Sequence, residues 1–414
     1  MPSTAGVTVL RTPLSESKPT LAKQFQKAGY KTAVMGKMHF NTPGRPGLHG
    51  FEHCLTEDIL NRQWQQRPVK RPVPESTRVK PAWRPFRDAA RIWLNAEKLP
   101  YPRYDEEMRG TVQARLACQF LDENKDKPFA LWVSFQEPHS PYDFPVEDAG
   151  RFSPRRFPVP RVGPEDAWQV PLIFRDLSDE EKQGIAASYY TSVRFLDKNL
   201  GLVLNRLREL GLENNTIVVY LADHGYSLGQ HGRFEKHCGY DPAMHVPLIV
   251  RWPGHVRQGV VNELTEHIDV APTILDLAAL DPLPVQHGTS LRPHLEAKKL
   301  QPRGHVFSQY LENEEVFLRT DRWKYIFCSG KRKRTDGYET GQPTPGRYHR
   351  LYDLKSDAGE FTDLAAKNAK IVAEMQDLIL KRYRNTHPDV NGEPARATKE
   401  EAIEYYVRPR DGEA

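Results

Sequence analysis

Residues 215–232, Asn-Thr-Ile-Val-Val-Tyr-Leu-Ala-Asp-His-Gly-Tyr-Ser-Leu-Gly-Gln-His-Gly, constrain the chain more than any other stretch. An apolar, β-branched run ends abruptly in an acid, a histidine and three glycines. Ile217 to Ala222 is too short for an ordinary helix, and its lack of alternation predicts a parallel strand covered on both faces. Asp223 and His224 then stand where such a strand leaves its sheet, the position at which open α/β sheets gather ligand-binding side chains. Gly225, Gly229 and Gly232 let the backbone turn and approach closely whatever is held there.

The rest of the chain surrounds this strand with more α/β alternation. Lys18 to Gly29 reads as a helix, with Pro19 at an early position and Gly29 as its stop, and Tyr30 to Met35 as the strand that follows. Phe129 to Phe135 is a second apolar strand. Ser178 to Leu212 is a long amphipathic helix: Asp179, Glu180 and Glu181 suit its positive end, and Tyr189, Val193, Leu196, Leu200, Val203 and Leu207 form one apolar stripe. Val246 to Trp252 reads as another buried strand and Ile268 to Leu280 as a helix. The expected fold is therefore α/β, a mostly parallel sheet sandwiched by helices over residues 1–300.

From 301 to 414 the texture changes to an α+β unit. Val306 to Tyr310, Glu315 to Thr320 and Trp323 to Cys328 are short alternating strands, Leu351 to Leu354 adds an edge, and Ala365 to Arg384 is an amphipathic helix on this small antiparallel sheet.

At 414 residues with 38% apolar and 27% charged side chains, the chain can bury a large core. Its net charge of +5 is too small for this length to argue for nucleic-acid binding. No run of 18 apolar residues exists, so no membrane span is expected. The four cysteines, Cys54, Cys118, Cys238 and Cys328, have neither zinc-ligand nor Cys-x-x-Cys spacing and read as inert thiols. Between residues 60 and 105, Arg67, Lys70, Arg71, Arg78, Lys80, Arg84, Arg87 and Arg91 make a basic surface excursion. With His49, His53 and Arg233 it offers a wall for a polyanionic carbohydrate, or a solvated loop.

Three predicted strands, ending near residues 35, 135 and 222, each finish in a loop rich in charged or metal-binding side chains. They mark one crevice. After the first, Lys37 and His39 are two apart; in an extended chain both point to the same face. A fixed cation beside an imidazole suits stabilising an anion and protonating a leaving group. His139 sits between Pro138 and Pro141, which stiffen its loop. Asp223 and His224 offer an oxygen and a nitrogen to a metal, or a turn in which Asp223 caps backbone amides. Lys236 precedes Tyr240, Asp241 and Pro242 and then the next buried strand.

Taken together, these pieces resemble the sulfatases of the alkaline-phosphatase superfamily. The matching stretches are Pro19 to Ala22 with Ala28 to Thr32, Gly36-Lys37-Met38-His39, Pro138-His139-Ser140-Pro141-Tyr142, Ala222 to Gly225 with Leu228 to Gly232, Val246 to Ile249 with Pro253-Gly254, and Leu351-Tyr352-Asp353-Leu354. Gly36 to Phe40 followed by Leu48-His49-Gly50-Phe51 is similar to the variant of choline-sulfatase-like members. Tyr226 stands where many members have an acid. The resemblance implies hydrolysis of sulfate esters by a formylglycine nucleophile with a divalent cation, usually calcium. It implies that Asp223 and His224 belong to the metal site, that Lys37 and His39 contact the nucleophile, and that His139 and Lys236 contact sulfate. It also implies a small-molecule or carbohydrate sulfate ester as substrate, with export to the periplasm or beyond.

A calcium ion takes about six to eight oxygen ligands, more than one aspartate and one histidine supply. The Asp-Asp pair and the Cys/Ser-x-Pro-x-Arg nucleophile motif of the family are absent from this sequence. Met1 resembles a point just after the family's nucleophile helix, so the chain reads as amino-terminally truncated, with activity dependent on the absent segment. Two alternatives stand beside it: a phosphonate or phosphate-diester hydrolase of the same superfamily, and an inactive fragment that keeps an anion-binding crevice.

Overall fold

The computed structural model describes residues 1–75, 100–166, 169–298, 303–332, 338–343 and 345–409. Its first sheet has the order β2-β1-β3, with β1 (Lys31–Gly36) at the centre and β2 (His53–Thr56) and β3 (Phe129–Ser134) parallel to it. Ala33, Val34 and Met35 of β1 are covered on both faces, which is why they read as a short unbroken apolar run. Val34 packs with Ala22, Leu48 and Phe51, while Ala33 and Met35 pack with Ala117 and Phe120 of the helix Arg109–Asn124. The Gln113 amide of that helix donates to the carbonyls of Met35 and Ser134, both at 3.0 Å, and so holds the ends of β1 and β3 together. Gly36 there adopts φ +106°, and a Cβ would stand 1.9 Å from the Ser134 carbonyl oxygen. Only glycine allows that approach.

The helix Leu21–Lys27 begins at Thr20, whose hydroxyl accepts from the Lys23 amide at 3.2 Å; the predicted start at Lys18 is three residues early. The long helix is Asp179–Glu209, entered through a capping box in which Ser178 and Glu181 satisfy one another's backbone amides. It packs along the helix Arg109–Asn124.

The run Ile217 to Ala222 departs from expectation. It forms a four-residue strand, β4 (Val218–Leu221), paired antiparallel to β5 (Leu248–Arg251) rather than parallel. These two strands pair only with each other among the described residues. Leu221 is 39% and Ile249 56% exposed, so the double coverage that the apolar run predicts is not met. Neither does the chain stay extended beyond β1: the strand ends at Gly36 and His39 has φ 45°, so Lys37 and His39 are not placed by strand geometry.

Beyond residue 305, β6 (Val306–Tyr310), β7 (Glu315–Arg319), β8 (Trp323–Cys328) and β9 (Tyr348–Asp353) form an antiparallel sheet in that order. Burial along β7 and β8 is nearly continuous because both faces are covered. On one face Val316, Leu318, Tyr325, Phe327 and Leu351 meet the helices Ala369–Thr386 and Lys399–Val407. On the other, Phe317, Ile326 and Tyr352 meet Cys238, Tyr240 and Ala243. The small sheet thus seats the segment that follows Lys236.

All four cysteines are free. No described helix is long and apolar enough to cross a membrane. Of the basic excursion, residues 60–65 belong to the helix Glu57–Gln65, and Arg78, Lys80, Arg84, Arg87 and Arg91 lie outside the described residues. His49 is buried against Phe40, and Arg233 is buried in an ion pair with Glu235. Neither His49 nor Arg233 is available to wall an open carbohydrate pocket.

Candidate functional site

Lys37, His39, His139, Asp223, His224 and Lys236, spread over 200 residues, lie within electrostatic reach of one another. Lys37 and Lys236 act on His39, His139, Asp223 and His224, and Lys37 acts on Lys236. Three of the four loops that carry them, those of His139, His224 and Lys236, are bound by a tyrosine relay. The Tyr142 hydroxyl donates to that of Tyr226 at 2.9 Å, and Tyr226 donates to the Phe234 carbonyl. Tyr142 follows His139 by three residues, Tyr226 follows His224 by two, and Phe234 precedes Lys236 by two. Gly225 lies under Pro242: its amide donates to the Ala243 carbonyl at 2.8 Å, and a Cβ would fall 2.1 Å from the Pro242 carbonyl oxygen.

The segment bearing Lys236 is pinned on its other side. His231 stacks on Tyr240 with centroids 3.6 Å apart, and its Nδ1 lies 3.0 Å from Asp166. Glu235 is held by Arg233 and by His237 at 3.1 Å. Asp241 is gripped by Lys324 at 2.6 Å and Arg319 at 3.3 Å, and Lys324 also faces Glu360 at 3.3 Å.

Two ammonium groups, one carboxylate and burial set the electrostatics of the crevice. Desolvation, with Lys37 second, lowers the Lys236 ammonium from its usual value. Desolvation pushes the His139 imidazole down to about 4, with Lys37, Lys236 and His224 adding to it against the Ser140 carbonyl. Desolvation and then Lys37 lower His39, and desolvation and then Lys236 lower His224. For Asp223, desolvation acts against ionisation, but His224, Lys37 and Lys236 outweigh it and hold the carboxyl below the ordinary range.

Two tautomers follow from geometry. Nδ1 of His139 is 2.7 Å from the Ser140 carbonyl, and Nδ1 of His224 is 2.7 Å from that of Gly225. Carbonyls only accept, so each Nδ1 carries the proton and each Nε2 of the neutral ring offers a lone pair. The His224 Nε2 stands 3.6 Å from Asp223 Oδ2, two acceptors side by side, which is the chemistry of ligands to a shared cation. Among the described residues, however, no group of three or more His, Cys, Asp or Glu side chains is arranged to hold a metal. This pair is an incomplete donor set for a hard cation.

A sulfatase family model matches residues 2–280, and the model of the N-sulphoglucosamine sulphohydrolase carboxy-terminal region matches residues 229–385. The chain belongs to the sulfatase family. Sulfatases are sulfuric ester hydrolases and generally depend on a divalent metal. The choline-sulfatase of Rhizobium meliloti (strain 1021) is 27% identical over 94% of this chain and 76% of its own length. The N-acetylglucosamine-6-O-sulfatase of Bacteroides thetaiotaomicron is 30% identical over 89% of this sulfatase-family chain and 74% of its own length. A phosphonate monoester hydrolase from Silicibacter pomeroyi superposes with a TM-score of 0.71 at 21% identity, covering 96% of this chain and 87% of that one. That likeness shows the alkaline-phosphatase-like fold.

The tyrosine relay and the ion-pair cluster at Asp241 were not legible in the sequence of this family member. Asp166, Lys324 and Glu360 belong to no local pattern; Tyr142 closes the Pro138 to Tyr142 stretch and Tyr226 stood out in the sequence, but nothing there pointed to their contact.

Proposed function

We propose that the crevice binds the sulfuryl group of a sulfate ester, on a sulfated carbohydrate, for hydrolysis. The observation that supports this reading is that two ammonium groups, Lys37 and Lys236, act on the same His39, His139, Asp223 and His224; burial first and Lys37 second lower the Lys236 ammonium, with Asp223 and the paired Glu235 acting against them. A dianion or an anionic ester end relieves that repulsion.

Lys236 and His139 are assigned to the sulfate oxygens. His139 enters neutral, with its proton on Nδ1, and a bound anion favours its protonation, which makes Nε2 a donor to oxygen. Lys37 and His39 are assigned to the nucleophile's side, the ammonium stabilising its negative charge. Asp223 and His224 are assigned to a divalent metal, for which the family resemblance implies calcium; the carboxylate oxygen is a ligand that ion accepts. The metal would neutralise charge on sulfate, and the roles given to the lysines and histidines stand without it. The carbohydrate assignment follows the N-acetylglucosamine-6-O-sulfatase relative.

The test is substrate class. With calcium present, 4-nitrophenyl sulfate and bis(4-nitrophenyl) phosphate are compared as ligands by calorimetry and as substrates by nitrophenol release. Preference for the sulfate ester supports the reading. Binding and turnover of the phosphate diester alone would replace it with the phosphodiesterase alternative.

A further inference from the structure

A cluster of aromatic rings lies outside the crevice, where residues 152–157 pack on the helix Asp179–Glu209. Phe157 stacks on Tyr190 with centroids 5.0 Å apart, and Phe152 meets the two rings edge-on at 6.3 and 6.5 Å. Tyr190 is nonetheless 45% exposed. The packing is fixed by the Gln183 amide, which donates to the Phe157 carbonyl at 2.9 Å. Two contacts tie this cluster to the crevice loops. Tyr189 lies 5.9 Å from both Tyr190 and Tyr226 of the relay, and Pro160 lies so close to Gly229 that a Cβ there would stand 2.9 Å from the proline Cδ.

The same segment is basic. Arg151, Arg155 and Arg156 are exposed, the last two in the single turn Pro154–Arg156 between the two phenylalanines, and no carboxylate among the described residues forms an ion pair with any of them. The acids nearest in the chain are engaged elsewhere. Asp148 pairs with Arg194, Glu147 accepts from the Asp105 amide at 3.0 Å, Glu165 accepts from the Asp363 amide at 3.0 Å, and Asp166 is buried beside His231. Arg161, the remaining arginine of the stretch, lies over the Phe361 ring. On the helix, Asp179 pairs with Lys182, and the exposed acids Glu180 and Asp197 stand about two to three turns from Tyr190.

Three guanidinium groups without carboxylate partners, on a segment stacked against an exposed aromatic ring, complement an extended polyanion built on sugar rings. We propose that this surface binds a sulfated polysaccharide outside the crevice. Each guanidinium offers a planar fork of donors that matches the oxygens of a sulfate group. The Tyr190 ring packs on the apolar face of a pyranose while its hydroxyl stays in water. The choice of a glycan among polyanions rests on the reading that the crevice takes a sulfated carbohydrate; the surface then holds the chain beyond the sulfate group being cleaved. Arginines with exposed aromatics also suit single-stranded RNA, so the test separates the two polymers.

The full chain is titrated at one ionic strength with dextran sulfate, unsulfated dextran, polyuridylic acid and, separately, inorganic sulfate. Dextran sulfate binds and dextran does not. The double variant Arg155→Ser, Arg156→Ser weakens dextran sulfate about tenfold or more, the scale of lost charge-assisted contacts, and Tyr190→Ala weakens it about fivefold. Both variants keep the wild-type affinity for inorganic sulfate, because these side chains lie outside the crevice. Wild-type affinity for dextran sulfate in both variants overturns the proposal. A loss in the arginine variant with none in Tyr190→Ala overturns it as well, since charge attraction alone then accounts for the binding. Polyuridylic acid bound as tightly as dextran sulfate, with the same losses, replaces it with a nucleic-acid surface. Dextran sulfate bound with the expected losses by a chain that does not bind inorganic sulfate overturns the crevice reading and supports this surface on its own measurement.

Discussion

The hydroxyls of Tyr142 and Tyr226, 84 residues apart, meet at 2.9 Å, and Tyr226 passes the chain of donors on to the Phe234 carbonyl. This contact makes one unit of the loops bearing His139, His224 and Lys236. The Tyr226 phenol does the joining with no added charge. Tyr226→Phe removes the donor to Phe234 and the acceptor for Tyr142, leaving buried groups unsatisfied. The expected loss is about 1–3 kcal/mol in urea unfolding, with sulfate affinity reduced several-fold. Unchanged stability and affinity would show that packing alone aligns the loops.

The carboxy-terminal sheet holds Lys236 in place through Lys324, which is 2% exposed and pairs with Asp241 and Glu360. Lys324→Met fits the apolar stem but strands two carboxylates, with only Arg319 left near Asp241. Removing one member of a buried pair costs about 3–5 kcal/mol. Unfolding should shift accordingly, and pairing the change with Glu360→Gln should recover part of the loss. No recovery in the double variant would argue against coupling.

His139 supplies a pH dependence. Its imidazole is held at about 4 in the folded chain against 6.5 when free, chiefly by desolvation. Between those values the unfolded chain holds the extra proton, so stability falls as pH drops through this window; above 6.5 the group contributes no slope. By pH 5 the loss is about 2 kcal/mol. In sulfate-free buffer, the urea midpoint of the wild-type chain should fall more between pH 7.5 and 5 than that of His139→Gln. Parallel pH profiles would place His139 in an ordinary solvated environment.

The sequence disclosed the crevice more fully than the sheet around it. Runs such as Tyr30 to Met35 and Phe129 to Phe135 carry their own evidence, because a strand covered on both faces is apolar without alternation, and the capping residues Ser178 and Glu181 mark a helix start locally. The partner of β4 was not legible: an apolar run predicts burial, yet Leu221 and Ile249 remain exposed and the pairing is antiparallel. The Gly36-Lys37-Met38-His39 stretch named two candidate site residues, and the condition attached to them, an extended chain, is not met, since the strand ends at Gly36 and His39 has φ 45°. Contacts between distant loops, as at Tyr142, Asp166 and Lys324, leave no periodicity to read.

In the proposed function Lys37 and Lys236, with His139, form one site for a sulfuryl anion. It is tested most directly by titrating inorganic sulfate into the wild-type chain and into Lys236→Ala at low ionic strength. Loss of a charge-assisted contact predicts a sulfate affinity weakened tenfold or more, on the order of 1.5–3 kcal/mol. Equal sulfate affinity in the two proteins would contradict it.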